Sequence, residues 1–467
     1  MAAKAFQIDV GESHIARLRH KLADTIYPSQ QASDNPSDWS RGVPRSEIER
    51  LGRYWLHDYP WVEALSKLNR LPQYTLDIDV SGFGIHGVHF LHQQSARAHA
   101  IPLLFLHSWP GSFLEVTKLL GPLTDDSDSN LPAFNVVAPS LLDFGFSSPT
   151  SRPDFGIEQH AETYHKLMLA LGYDQYVVQS GDIGNLITRF IVKGVGAGSC
   201  KACHTSTPWP AEPKQDTHPE LFAKLQATPL TGQDVAALQR AGAFVAEGSG
   251  YMSLLSTKPQ TIGYALRDSP IGLLAWIFEK LHDWADEYPW TDEEIITWTI
   301  IYYFSTAGPQ ASGNIYYAMQ HSTPPALVTA QSYINVPLGI TRFAKDLVVL
   351  PSLWYESLGP IVFENEYERG GHFGAWERPD AIVADLRSMF GRGGGAYGSV
   401  TGRSGFAGDC RTESAIVEGM VNCVEWSGPF AAGQDASHLE TGEHDDAAQR
   451  QCREQDRRLR YWISAGR

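Results

Sequence analysis

The sequence predicts an α/β fold: a mostly parallel central sheet with an inserted helical cap and an N-terminal wrapping segment. Two observations carry that prediction. Short apolar runs, PLLFLH, FNVVAP and QYVVQS, alternate with helical stretches beginning near Phe113, Ile157 and Ile183, which is the pattern of βαβ units. The alternation lapses over residues 197–325 into helical sequence rich in Trp and Tyr, then resumes at ITRFA and GPIVFENEY, so the middle reads as an insertion.

Ahead of the sheet, Ile15, Leu18 and Leu22 recur at helical spacing behind Ser13, and YWLHDYPWVEALSKLNRL repeats that periodicity. These helices are expected to cover another element. From Tyr74 to His92 the run YTLDIDVSGFGIHGVHFLH alternates apolar and polar residues about a Gly-containing turn, as a two-stranded hairpin does. The chain therefore divides into an N-terminal segment with its hairpin (1–96), two halves of a core (97–196 and 326–390), a helical cap (197–325) and an extension (391–467). That extension opens with GRGGGAYGSVTGRSG and continues polar and charged, so it is expected to be poorly ordered.

Composition excludes several classes of function. Of 467 residues 43% are hydrophobic, ample for a large core, and a formal net charge of -16 without a basic run argues against nucleic acid as a partner. No unbroken apolar stretch approaches the roughly 18 to 20 residues that a spanning helix needs. The start, MAAKAFQIDV, lacks a basic and apolar signal layout, so a soluble cytoplasmic protein without membrane insertion is expected. Five Cys and no glycosylation sequon suit a reducing compartment.

The chemistry concentrates at three loops. VVQSGDIGN sets Asp182 between a strand and a helix, among Ser180, Gly181 and Gly184, the small residues that a sharp strand-to-helix turn demands. A carboxylate there is already ionised and can attack an sp³ carbon without a base, giving an alkyl ester on the enzyme. HSWPGS, ending an earlier strand, offers the Trp109 N–H, which with the Ile183 N–H would form an oxyanion hole. ERGGHFGAWERPD displays His372 at a strand end as a general base, and FAKDL sets Asp346 on the preceding strand end to orient it. Each motif alone has a plain structural reading: a helix cap for Asp182, a Pro-Gly turn for HSWPGS, a surface loop for His372. Their coincidence in the order nucleophile, acid, base favours chemistry.

Together these residues resemble the microsomal-type epoxide hydrolases, α/β-hydrolases whose pattern includes HGWPGS, a GGDWG-like elbow and GGHFAA followed by Pro. The resemblance spans residues 1–390 and includes the N-terminal segment and the cap stretch beginning GSGYMS. It implies that Tyr251 and Tyr316, the latter within GNIYYAMQ, hydrogen-bond the epoxide oxygen, with Tyr317 as the alternative to Tyr316. It further implies an epoxide substrate, water as co-substrate, a vicinal diol product, no cofactor and no metal, in detoxification or in tailoring of a specialised metabolite. A homodimer is left open. Three positions depart from the pattern: Ser108 replaces a Gly, Ile183 a Trp, and Asp346 the Glu of mammalian members.

Rival readings share parts of this set. A haloalkane dehalogenase would use the same Asp elbow but needs N–H donors for halide, and a non-catalytic scaffold would need none of the groups. A Ser esterase would need Ser at the elbow, where Ser180 falls two residues short. Cys200, Cys203 and His204 spell a haem-attachment string without an export signal, and Gly393 to Gly398 fit a dinucleotide string without a preceding strand. Both are dismissed.

Overall fold

The computed structural model describes residues 2–29 and 38–407. Among them one sheet of nine strands runs through the molecule: β1 (Lys4–Ala5), β2 (Gln73–Val80), β3 (Gly84–Gln93), β4 (Ile101–Leu106), β5 (Phe134–Pro139), β6 (Tyr176–Ser180), β7 (Cys200–Thr205), β8 (Leu338–Phe343) and β9 (Ile361–Tyr367). Their spatial order is β1-β2-β3-β5-β4-β6-β7-β8-β9. The hairpin β2–β3 and its neighbours pair antiparallel, whereas every pairing from β5 to β9 is parallel. Strands β4, β5 and β6 are buried at every position, as parallel strands covered on both faces must be, and this explains their unbroken apolar runs. Helices Thr117–Thr124 and Pro379–Phe390 pack together against the sheet, as do helices Ile157–Ala170 and Asp182–Lys193.

The cap differs from expectation at its start. Residues Cys200–Thr205 form β7 in the centre of the parallel region, so the insertion begins after them and not at residue 197. The sequence CKACHT hides this strand because it lacks the branched apolar residues that mark its neighbours. His204 is buried there by a polar partner, Thr341 Oγ1, 3.0 Å from its Nε2. Cap helices then run from Pro219–Ala227 to Ala326–Gln331.

The N-terminal helices Glu12–Ala23 and Arg45–His57 cover the cap helix Pro270–Asp283. Leu18, Leu51 and Trp55 are fully buried, and this apolar contact does most of the holding. Arg50 and Lys67 add ion pairs to Asp292 and Glu293 at 2.5 and 2.6 Å, each worth under about 1 kcal/mol at the surface. At the cap's return to the core, the buried Arg189 donates to the carbonyls of Ala330, Ser332 and Leu358. The insertion is therefore fastened at both its outer face and its exit. Among the described residues no helix is long and apolar enough to cross a membrane.

The expected loss of order after residue 390 is also corrected. Residues 391–407 are packed on the core: Gly405 O accepts from Ala133 N and Arg97 Nη1, and Gly405 N donates to His99 O. Phe406 is fully buried beneath the Arg392 guanidinium. Glycine-rich sequence reads as loose, yet here backbone hydrogen bonds fix it. Residues 408–467 of the expected extension lie outside the described residues. Phe406→Ala is expected to lower the unfolding free energy by about 3 kcal/mol, the usual cost of emptying a buried aromatic site, as measured by urea denaturation. Unchanged stability would contradict this packing.

Candidate active site

Asp182 opens the helix Asp182–Lys193 directly beyond β6, with its backbone held at a φ of 47°. A non-glycine residue in this left-handed region is strained, and the strain lifts the side chain off the sheet end. Two residues on, a Cβ at Gly184 would sit 2.4 Å from Leu106 O, so only glycine allows the helix to approach β4 this closely. The carboxylate is buried, and Trp109 N donates to its Oδ1 at 3.1 Å. The Ile183 N–H donates to the same carboxylate. Both expected oxyanion donors thus face this carboxylate. Burial pushes the Asp182 carboxyl above the usual carboxylate range, while His372 and the two N–H groups pull it back.

The loop bearing Trp109 is built from polar contacts. His107 Nδ1 donates to Ser108 O, and its Nε2 accepts from Leu141 N at 3.1 Å, so this imidazole is neutral and structural. Ser108 donates through N and Oγ to Glu115 Oε1 at 3.1 and 2.8 Å. The cap holds the loop from the other side, with Trp298 Nε1 donating to Pro110 O and Tyr302 OH to Gly111 O, both at 2.6 Å.

His372 follows β9, and its Nδ1 lies 2.9 Å from Asp346 Oδ1 on the loop after β8. The other nitrogen, Nε2, faces Asp182 Oδ2 at 3.9 Å. It is buried without a hydrogen-bond partner among the described residues. A base must present such a nitrogen to a water molecule. Burial pushes His372 down, but the hydrogen bond and charge of Asp346, then the charges of Asp182 and Glu115, raise it to about 9.

Tyr251 and Tyr316 come from the cap helices Gly250–Thr257 and Asn314–His321 and meet edge-on, with ring centroids 5.9 Å apart. Their rings enclose Trp109, with Tyr251 stacked on its indole at 4.8 Å and Tyr316 edge-on at 5.5 Å. Burial first, and for both also the Asp182 charge, push these phenols well above their usual value, so they are proton donors at neutral pH. Tyr317 points elsewhere, stacked on His321 at 3.9 Å. All seven expected residues therefore meet at one site.

Sequence reasoning missed four neighbours. Trp284 stands edge-on to His372 at 5.2 Å and equally near Tyr251. Ser312 Oγ accepts from Trp109 Nε1, and Glu115 and Glu377 bury carboxyls close to the histidine. The S-x-x-E string from Ser112 to Glu115 was a visible signal, although it suggests a helix cap and not a brace for Ser108. Among the described residues no group of three or more His, Cys, Asp or Glu is placed to hold a metal ion.

A carboxylate on a strand-to-helix turn, two N–H donors, and a histidine and acid from the next strand ends define the α/β-hydrolase class. Family models agree: residues 101–379 match "alpha/beta hydrolase fold" and residues 3–116 match "Epoxide hydrolase N terminus". The chain belongs to the epoxide hydrolase family. A Stigmatella aurantiaca protein provisionally named an epoxide hydrolase is 35% identical, over 82% of this chain and 84% of its own. Epoxide hydrolase 1 of Sus scrofa is 30% identical, over 83% of this chain and 88% of its own. The structure of Aspergillus niger epoxide hydrolase superposes with a TM-score of 0.70 at 30% identity, covering 83% of this chain and 95% of that one.

The electrostatics yield a test. Asp182→Asn removes one of the charges that raise His372, so its titration should move below about 9, as read from the imidazole proton shifts by NMR. An unmoved titration would contradict the coupling.

Proposed function

We propose that the chain converts an epoxide and water to a vicinal diol through an ester on Asp182. Asp182 Oδ1 is occupied by the Trp109 N–H, which leaves Oδ2 as the attacking oxygen. The phenols of Tyr251 and Tyr316 bind the ring oxygen on the far side, and one of them protonates the alkoxide as the C–O bond breaks. Opening the ring from opposite sides relieves its strain without a metal or cofactor in the scheme.

Ester formation consumes the Asp182 charge. His372 then loses one of the influences that keep it protonated, while Asp346 continues to orient it. The His372 imidazolium returns a proton to the phenolate left by ring opening; the neutral imidazole then takes a proton from water through Nε2, the hydroxide attacks the ester carbonyl carbon, and the oxyanion rests on the Trp109 and Ile183 N–H groups. On collapse the expelled alkoxide takes its proton from the new Asp182 carboxyl, which releases the diol and restores the carboxylate beside a protonated His372. The same loss of charge makes the two phenols better acids at the moment the alkoxide appears.

The observation that carries this reading is the pair of buried phenols, edge-on to each other at 5.9 Å and within the field of a buried carboxylate. A halide-releasing enzyme has no use for them. Tyr251→Phe and Tyr316→Phe are each expected to slow ester formation by about 10²-fold, the range of a general acid's contribution, in rapid-quench assays with a styrene-oxide-type epoxide. Variants that open the ring at the parental rate, or release of chloride from chloroalkanes by the parent, would sink the reading.

A further inference from the structure

His372 does not sit on a free loop. The N–H of Gly370 donates to Asp286 Oδ2 at 2.9 Å, that of His372 to Trp284 O at 2.8 Å, and those of Gly371 and Phe373 to Glu377 at 3.1 and 2.9 Å. Glu377 also accepts from Asp286 N at 2.7 Å. Four consecutive backbone donors around the base are therefore used by Glu377 and by one cap segment, Trp284–Asp286. The contact is tight: a Cβ at Gly371 would lie 2.4 Å from Trp284 O and 2.8 Å from Asp286 N.

That cap segment also reaches the phenols, because the Trp284 ring lies 5.2 Å from both His372 and Tyr251. Among the described residues Glu377 is the one side chain bonded both to the peptides flanking His372 and to the cap backbone. All three of its partners are N–H groups, so it serves as a two-oxygen acceptor. Burial pushes its carboxyl up to about 7, while these donors and His372 pull it down.

We propose that Glu377 is a positioning residue for the hydrolytic half-reaction: by joining Gly371, Phe373 and Asp286 it locks His372 to the cap at the height where Nε2 meets the water that attacks the Asp182 ester. Glu377 touches no reacting atom. Ring opening uses Asp182, Tyr251 and Tyr316 and draws on the charge of His372 but on no proton transfer at Nε2, so it depends on this lock far less than hydrolysis does. The inference rests on the covalent reading given above.

Glu377→Gln keeps the shape but turns one acceptor into an NH₂ group facing N–H donors. In rapid-quench experiments with mass-spectrometric detection of the Asp182 peptide, it should form the ester within about twofold of the parental rate and hydrolyse it at least about tenfold more slowly, as misplacement of a base implies. The ester then accumulates in the steady state. Glu377→Asp, which keeps both oxygens, should recover part of the loss. Should the Gln variant fail to fold, Asp286→Ala, which removes the Gly370 acceptor and leaves Glu377 in place, should show the same selective slowing in smaller measure. Equal slowing of both steps, or no slowing of hydrolysis, overturns the proposal. Diol production by the parent without any ester would instead overturn the covalent reading itself.

Discussion

A negative charge buried at Asp182 is the constraint to which the rest of this structure answers. An isolated carboxylate in an apolar interior is so costly that it takes up a proton, and a protonated acid is no nucleophile. The charge survives because two backbone N–H groups and an imidazolium surround it, and each demands its own support. The Trp109 N–H needs the HSWPGS loop, that loop needs Glu115 beneath it and Trp298 and Tyr302 above it, and the imidazolium needs Asp346.

That arrangement also sets the order of events. While Asp182 is ionised it holds His372 protonated and the phenols weakly acidic, so neither is ready for its later task. In the reaction we propose, alkylation of Asp182 removes that charge and changes both at once. The cap is accordingly built as a fixed wall: N-terminal helices cover it outside, Arg189 ties its exit, and its residues Trp298, Tyr302, Ser312 and Asp286 bond the core loops inside.

Asp182 and His372 were legible in the sequence because glycines flank each of them at a strand end, whereas Asp346, in FAKDL, was legible only from its place at the end of the preceding strand. Trp109 and Ile183 followed from the same logic, since backbone donors are located by position alone. Tyr251 and Tyr316 were legible only by resemblance: helical sequence does not say which of many aromatic residues faces a pocket. Strand β7 escaped notice because its polar residues are paired within the sheet, as His204 is with Thr341. Residues 391–407 escaped because backbone hydrogen bonds, such as those of Gly405, leave no mark in side-chain pattern. Glu115 and Glu377 look like ordinary surface acids until their backbone partners are seen.

The most direct test of the account is a single turnover in ¹⁸O water with enzyme in excess over epoxide, followed by mass analysis of the Asp182 peptide and of the diol. Attack of water on the ester carbonyl carbon predicts label in Asp182 and none in the first diol. Labelled diol with unlabelled Asp182 would mean that water opens the ring itself, and the role assigned here to the buried charge would be wrong.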